Sequence, residues 1–247
     1  MKRVLFVISL LASVSSFASI SERNFCSQAN MQLKLSKAKN RLSFTNRGGL
    51  FNAGVCWWHS RFTRNANYLA VFNPSKPALE DPTALIKKIR KGKEVVEIPG
   101  FSSLEQFSRY YEEEIQKVLE SWQLIDGAVN QQWIVGLWGK SEVSPENMEK
   151  RMNKLYARVS QGEVVYQKLQ IDGIDAHAWL VIDMAKTANG YKLLVVDSNY
   201  RSTDVYTFEK GDRSFEHPYY GKFVPYTGRM AEERRLKKTR AEFCNGL

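Results

Sequence analysis

The hydrophobic period of this chain changes once, near residue 160, and that change limits the folds open to it. From Cys56 to about Ser160 the signals are helical, and from Val164 onward the apolar residues fall into short β-like runs. Those runs are separated by turn signals at Asp172-Gly173, Asn189-Gly190 and Lys210-Gly211-Asp212. The stretch from Cys56 to about Phe72 reads as a helix with Trp57, Phe62 and Leu69 inward, whereas 33–55 reads as extended and loop-like. Ser102 or Ser103 can cap a long helix through Gln123, with Glu105 placed for a capping box. Ser144-Pro145-Glu146 starts a helix to about Ser160, and a charged helix is expected over about 230–243. Helices first and strands second predict an α+β fold of two facing lobes, not alternating βαβ units. The helical lobe is expected at about 50–160 and the β lobe at about 163–228, with an antiparallel sheet.

The first 18 residues are set apart from this domain. Lys2 and Arg3 precede the apolar run from Val4 to Ala12, and small residues lead to Ser16-Phe17-Ala18. This is the three-part pattern of a cleaved secretory signal, 1–18, about half as long as a membrane span requires. The expected product is a single domain, 19–247, secreted or periplasmic, with no transmembrane anchor. Hydrophobic content of 43% and charged content of 25% exclude a disordered or collagenous chain. Outside the cytosol three cysteines allow one disulfide and one free thiol. Cys26 and Cys244 lie near the two ends of that domain, and domain termini often lie close together, so they are expected to pair and leave Cys56 free.

Three histidines narrow the chemistry. His59 lies three residues after Cys56, but a structural zinc site needs four ligands and there is no second Cys/His pair. No metal and no cofactor is therefore expected. His217, before Pro218 in a Tyr-rich stretch, reads as a packing or surface residue. His177 opens the strand-like run to Asp183, and a second such run spans Tyr191–Asp197. A hairpin centred on Thr187 sets His177 opposite Asp197, with Cβ atoms about 4.5–5.5 Å apart. A tight Asn189-Gly190 turn would shift that register, and Asn199 is the alternative partner. A histidine oriented by an acid is half of a nucleophilic triad. Cys56, in the first turn of a helix, would supply the nucleophile, because the helix dipole and a nearby imidazolium favour a thiolate.

Gly54-Val55-Cys56-Trp57-Trp58-His59-Ser60 resembles the Gly-x-Cys-Trp-x-x-Ser signature of papain-like cysteine peptidases. His177-Ala178-Trp179-Leu180-Val181 is similar to the strand that carries the family's general base. Leu194-Val195-Val196-Asp197-Ser198 is similar to the strand end that carries its third member, with Asp where Asn is usual. Asp197-Ser198-Asn199 resembles the Asp-x-Asn of a bacterial effector branch of that clan. The resemblance implies a papain-like two-lobed fold and a peptidase acting on a protein or peptide through a thioester. In the place of the family's oxyanion Gln stands Leu50, for which Asn52 or Asn46 could substitute beside the Cys56 N–H.

The same patches resemble transglutaminase-like acyltransferases, and export adds amide hydrolases of peptidoglycan, so a cell-envelope polymer is an alternative substrate. The rival of another class is a non-enzymatic binding protein using the basic runs 87–93 and 234–238. No aromatic-interleaved nucleic-acid motif accompanies these runs, and no nucleic-acid partner is expected.

Overall fold

A computed structural model describes residues 19–126, 139–173 and 175–247. Residues 1–18, where a cleaved signal is expected, lie outside the described residues. The fold mixes helices with an antiparallel sheet, and the helices come first. They are α1 (Ile20–Ser27), α2 (Met31–Ser36), α3 (Cys56–Leu69), α4 (Thr83–Lys91), α5 (Leu104–Tyr110), α6 (Glu112–Leu124) and α7 (Pro145–Val159). The strands β3 (Val165–Gln170), β4 (Ala176–Lys186), β5 (Gly190–Asp197), β6 (Thr203–Glu209), β7 (Phe215–His217) and β8 (Gly221–Thr227) follow, then α8 (Met230–Asn245). Their order across the sheet is β6-β5-β4-β3-β8-β7, every pair antiparallel.

Helix α7 shows how sequence sets this architecture. Ser144 accepts a hydrogen bond from the Asn147 N–H and Pro145 occupies the first turn, so the start is fixed. Met148, Met152, Leu155 and Val159 recur at helical spacing and pack on the sheet face that carries Trp179, Val181, Leu193 and Val195. The opposite sheet face, with Ala178, Leu180 and Ile182, packs on α2, α3 and Leu236 of α8. A third cluster joins Phe62 and Ala66 of α3 to α4, α5 and α6. Helix α3 therefore sits between the sheet and the other helices, and all its residues but Trp57 are buried.

Several expectations change. Residues 33–55 are not simply extended: they hold most of α2 and 3-10 turns at Ala38–Asn40 and Leu50–Asn52. The helix from Cys56 stops at Leu69 and the chain continues into β1 (Ala70–Asn73), which pairs in parallel with β2 (Val96–Pro99). The expected long helix is broken at Tyr111, whose hydroxyl donates to the Leu79 carbonyl. Its cap is Ser103, bonded to the Gln106 N–H, while Glu105 instead binds Arg109 and Arg201. The disulfide joins Cys26 on α1 to Cys244 on α8, and Cys56 is a buried free thiol. Among the described residues no helix is long and apolar enough to cross a membrane.

Candidate active site

Cys56 is the first residue of α3, and the loop before it is braced from three directions. Gly48, Gly49 and Gly54 all adopt positive φ, and the Gly54 N–H closes the loop on the Gly48 carbonyl at 2.7 Å. A Cβ at Gly54 would lie 2.4 Å from the Asn46 amide, so that side chain can approach only a glycine. Asn46 Oδ1 accepts from the Val55 N–H, and its Nδ2 donates to Asn199 Oδ1 at 3.0 Å. Its backbone N–H donates to the Ser198 carbonyl at 2.7 Å. Gln123 of α6 clamps the loop, accepting from the Leu50 N–H and donating to the Gly54 carbonyl.

The first turn of α3 docks on the start of β4. Trp57 Nε1 donates to the His177 carbonyl at 3.0 Å and Ser60 Oγ to the Ala178 carbonyl at 3.3 Å. Cys56 Sγ lies 3.8 Å from the Ala176 carbonyl oxygen. This stretch of β4 runs beyond its pairing with β5, which begins at Trp179, so α3 meets its backbone there.

His177 Nε2 and Asp197 Oδ1 are 2.7 Å apart and both side chains are buried. The same Oδ1 accepts from the Asn199 N–H at 2.8 Å, which fixes the carboxylate at the strand end. The two residues are not directly opposed: Asp197 faces Trp179, and His177 reaches it along the diagonal. Near the turn Lys186 faces Tyr191, so the hairpin is centred between Ala188 and Asn189 and not on Thr187. An irregularity at Ile182 inserts one residue into β4 and restores the parity that brings His177 and Asp197 to one face. Without that bulge they would stand on opposite faces.

With Nε2 committed to Asp197, Nδ1 is the nitrogen left to face the Cys56 sulfur, which is near enough to act on the imidazole. Burial alone would lower the basicity of His177. The negative charge of Cys56 and the hydrogen bond to Asp197 prevail and hold it above its ordinary value. The Cys56 N–H belongs to the first helical turn, whose donors have no intrahelical acceptor.

The remaining expected site residues are arranged differently. Asn199 braces the Asp197 turn from behind through its backbone N–H and its bond to Asn46. Asn46 is a loop brace, with both ends of its amide engaged away from the sulfur. Asn52 is exposed on the 50–52 turn with φ of 57°, next to the fully exposed Phe51 with φ of 55°. Its side chain makes no hydrogen bond among the described residues, and the Leu50 side chain is exposed. His59 lies outside the cluster: its Nε2 donates to the Phe44 carbonyl at 3.0 Å, and burial lowers its pKa to about 4. His217 is a packing residue, stacked on Tyr220 with centroids 4.0 Å apart and bonded to Tyr200.

Some neighbours escaped the reading of the sequence. Tyr220, between His217 and His177, packs 5.7 Å from the latter's ring, and no pattern marks it. Gln123 is a polar residue on an ordinary helix face. Lys168 left a signal: it has the parity of Tyr166 in the strand-like run Val164–Ile171, on the face that packs against α3. Its Nζ lies 3.5 Å from the centroid of the Trp57 ring. In comparisons with protein-family models, curated proteins and solved structures, nothing matched this chain.

Proposed function

We propose that this chain is an exported thiol hydrolase of papain-like, two-lobed type that cleaves amide bonds, most simply peptide bonds. The observation that carries the reading is the Cys56–His177–Asp197 constellation: a free thiol on the first turn of a buried helix, beside an imidazole that is held at 2.7 Å by a buried carboxylate. The Cys26–Cys244 disulfide suits an oxidising compartment, which supports export.

In this mechanism the Cys56 thiolate attacks the scissile carbonyl carbon, forming the C–S bond as negative charge moves to the oxygen. The Cys56 N–H, one of the donors the helix leaves open, stabilises that oxygen. The His177 imidazolium gives its Nδ1 proton to the departing nitrogen as the C–N bond breaks, leaving a thioester. Neutral His177 then takes a proton from water, the hydroxyl adds to the thioester, and the acid and Cys56 thiolate are released. Asp197 keeps the ring oriented and balances the imidazolium.

The test is alkylation of Cys56 by limiting iodoacetamide between pH 5 and 9, read by mass spectrometry, followed by a peptide-substrate screen. Rapid labelling that persists below pH 7 and is slowed in His177→Ala supports the reading. Slow labelling, or full amide hydrolysis by Cys56→Ala, removes it.

A further inference from the structure

The six-stranded sheet ends on β6 and β7, and these two edges come back toward each other: the Tyr206 and Phe215 rings meet with centroids 5.7 Å apart. Among the described residues no strand pairing joins β6 to β7. A cleft of about 660 Å³ lies there, lined from both sides and with Tyr206 and Phe215 among its residues. Asp204–Thr207 supplies the β6 wall, enough edge for about 13 Å of extended chain. Open edges are templates for pairing that sheets usually cover, and here two of them face one space.

The cleft is acidic in a basic protein. Asp204, Asp212 and Glu216 line it, and among the described residues no lysine or arginine does. His217 lines it too, but burial lowers its pKa, so it adds no positive charge at neutral pH. Lys222, opposite Glu216, is drawn to Glu142 at 2.5 Å. Burial and the charge of Asp197 both hold the Asp204 carboxyl above its ordinary value, so an arriving cation would relieve it. The register explains that influence. Asp204 stands opposite Val195, which puts it diagonal to Asp197 on the same sheet face, a separation of about 7–8 Å. The cleft therefore begins beside the candidate triad, across β5 from His177.

We propose that this cleft is a docking site for an extended peptide segment bearing lysine or arginine, added as a strand between β6 and β7. The backbone of the segment pairs with the outer edges of the two strands, and its basic side chains meet the three carboxylates. Docking of this kind requires no thiol and holds whether or not Cys56 cleaves what is bound.

The experiment measures fluorescence anisotropy of dye-labelled, end-capped hexapeptides with the mature, disulfide-bonded protein carrying Cys56→Ala, so that no probe is cut. One probe alternates lysine with valine, a second alternates glutamate with valine, and a third is the lysine peptide methylated at alternate backbone nitrogens. The chain carries 36 Lys+Arg against 26 Asp+Glu, so its overall charge favours the glutamate peptide and only a local site reverses that order. The expected result is binding of the lysine peptide that weakens with salt, falls about tenfold in Asp204→Asn, and falls at least as far on backbone methylation. Glu216→Gln, on the outer wall, should weaken it by a smaller factor and serves as the second variant should Asp204→Asn fold poorly. Equal binding of the methylated peptide overturns strand addition. Lysine-peptide binding unmoved by both substitutions, preference for the glutamate peptide, or a dimer that occupies the cleft and excludes every probe overturns the docking site. None of these outcomes bears on the labelling of Cys56 in the parent protein, which tests the hydrolase reading separately.

Discussion

Helix α3 carries two buried charged clusters within three turns, and they differ in what burial does to them. In the second and third turns Arg61 bonds Asp126 at 2.7 Å and Glu232 at 2.9 Å, while Arg64 reaches the other oxygen of Glu232 at 2.5 Å. Arg61 also lies over the Trp122 ring, and Trp58 Nε1 donates to Asp126. Both cations are guanidiniums, which stay charged across the accessible pH range. In the first turn the partners are a thiol and an imidazole, groups that can each gain or lose a proton. The same helix thus holds a permanent ionic brace to α8 beside a pair that can exchange a proton. Buried charge becomes structural or reactive according to whether its members can titrate.

The sharpest break between the clusters is Cys56→Ala. Amide hydrolysis should fall by about three to four orders of magnitude or more, while the melting temperature stays near that of the parent. Glu232→Ala should do the reverse. It leaves the buried Arg64 guanidinium without its carboxylate and Arg61 with Asp126 alone, and should cost about 3–5 kcal/mol, read as a fall in the urea midpoint. Unchanged stability in that variant would mean that the brace is not structural. Asp197→Ala sits between them. A loss of about 10²–10⁴ in turnover is expected, with a smaller shift in the urea midpoint than Glu232→Ala gives.

Acidity separates the clusters in opposite directions. Burial would raise Glu232, but Arg64 and Arg61 bring its pKa down to about 2. Its stabilisation is present above the ordinary carboxylate value and is lost as pH falls through the range from there to about 2. His177 is held above its ordinary value, so its contribution is complete below about 6.5 and is lost as pH rises through its native pKa. Denaturation profiles should show a flatter acid limb in Glu232→Gln and a flatter alkaline limb in His177→Ala. The same limb changing in both variants would contradict this division. Ser144→Ala, which removes the α7 cap far from either cluster, should cost about 1 kcal/mol and leave Cys56 labelling untouched.

What could be read in the sequence followed residue chemistry more closely than residue position. The order of helices and strands and the α7 cap follow from local signals, and the Cys26–Cys244 pairing follows from the closeness of domain termini. The proximity of His177 and Asp197 was legible, but the register behind it was not. The apolar run through Ile182 offers no mark for a bulge, and two departures from the simple hairpin, a displaced turn and an inserted residue, preserve the shared face. Nor does a glycine or proline announce the break at Tyr111, which coincides with its bond to Leu79 and its contacts with Phe101 and Phe107. The amide of Asn46 is legible as chemistry, yet its contacts to Ser198 and Asn199 join segments about 150 residues apart in sequence.

The bond between α1 and α8 also changes what damage means for this molecule. With Cys26 and Cys244 joined across 218 positions, nearly the whole folded chain is one covalent ring. A single cut in any surface loop along that ring opens it without releasing a fragment. The two new ends stay tethered at a high effective concentration and can continue to pack against one another. On a non-reducing gel such a nicked protein would run as a single species, and only a reductant would separate its pieces. A protein of this topology tolerates its first cleavage and is dismantled by its second.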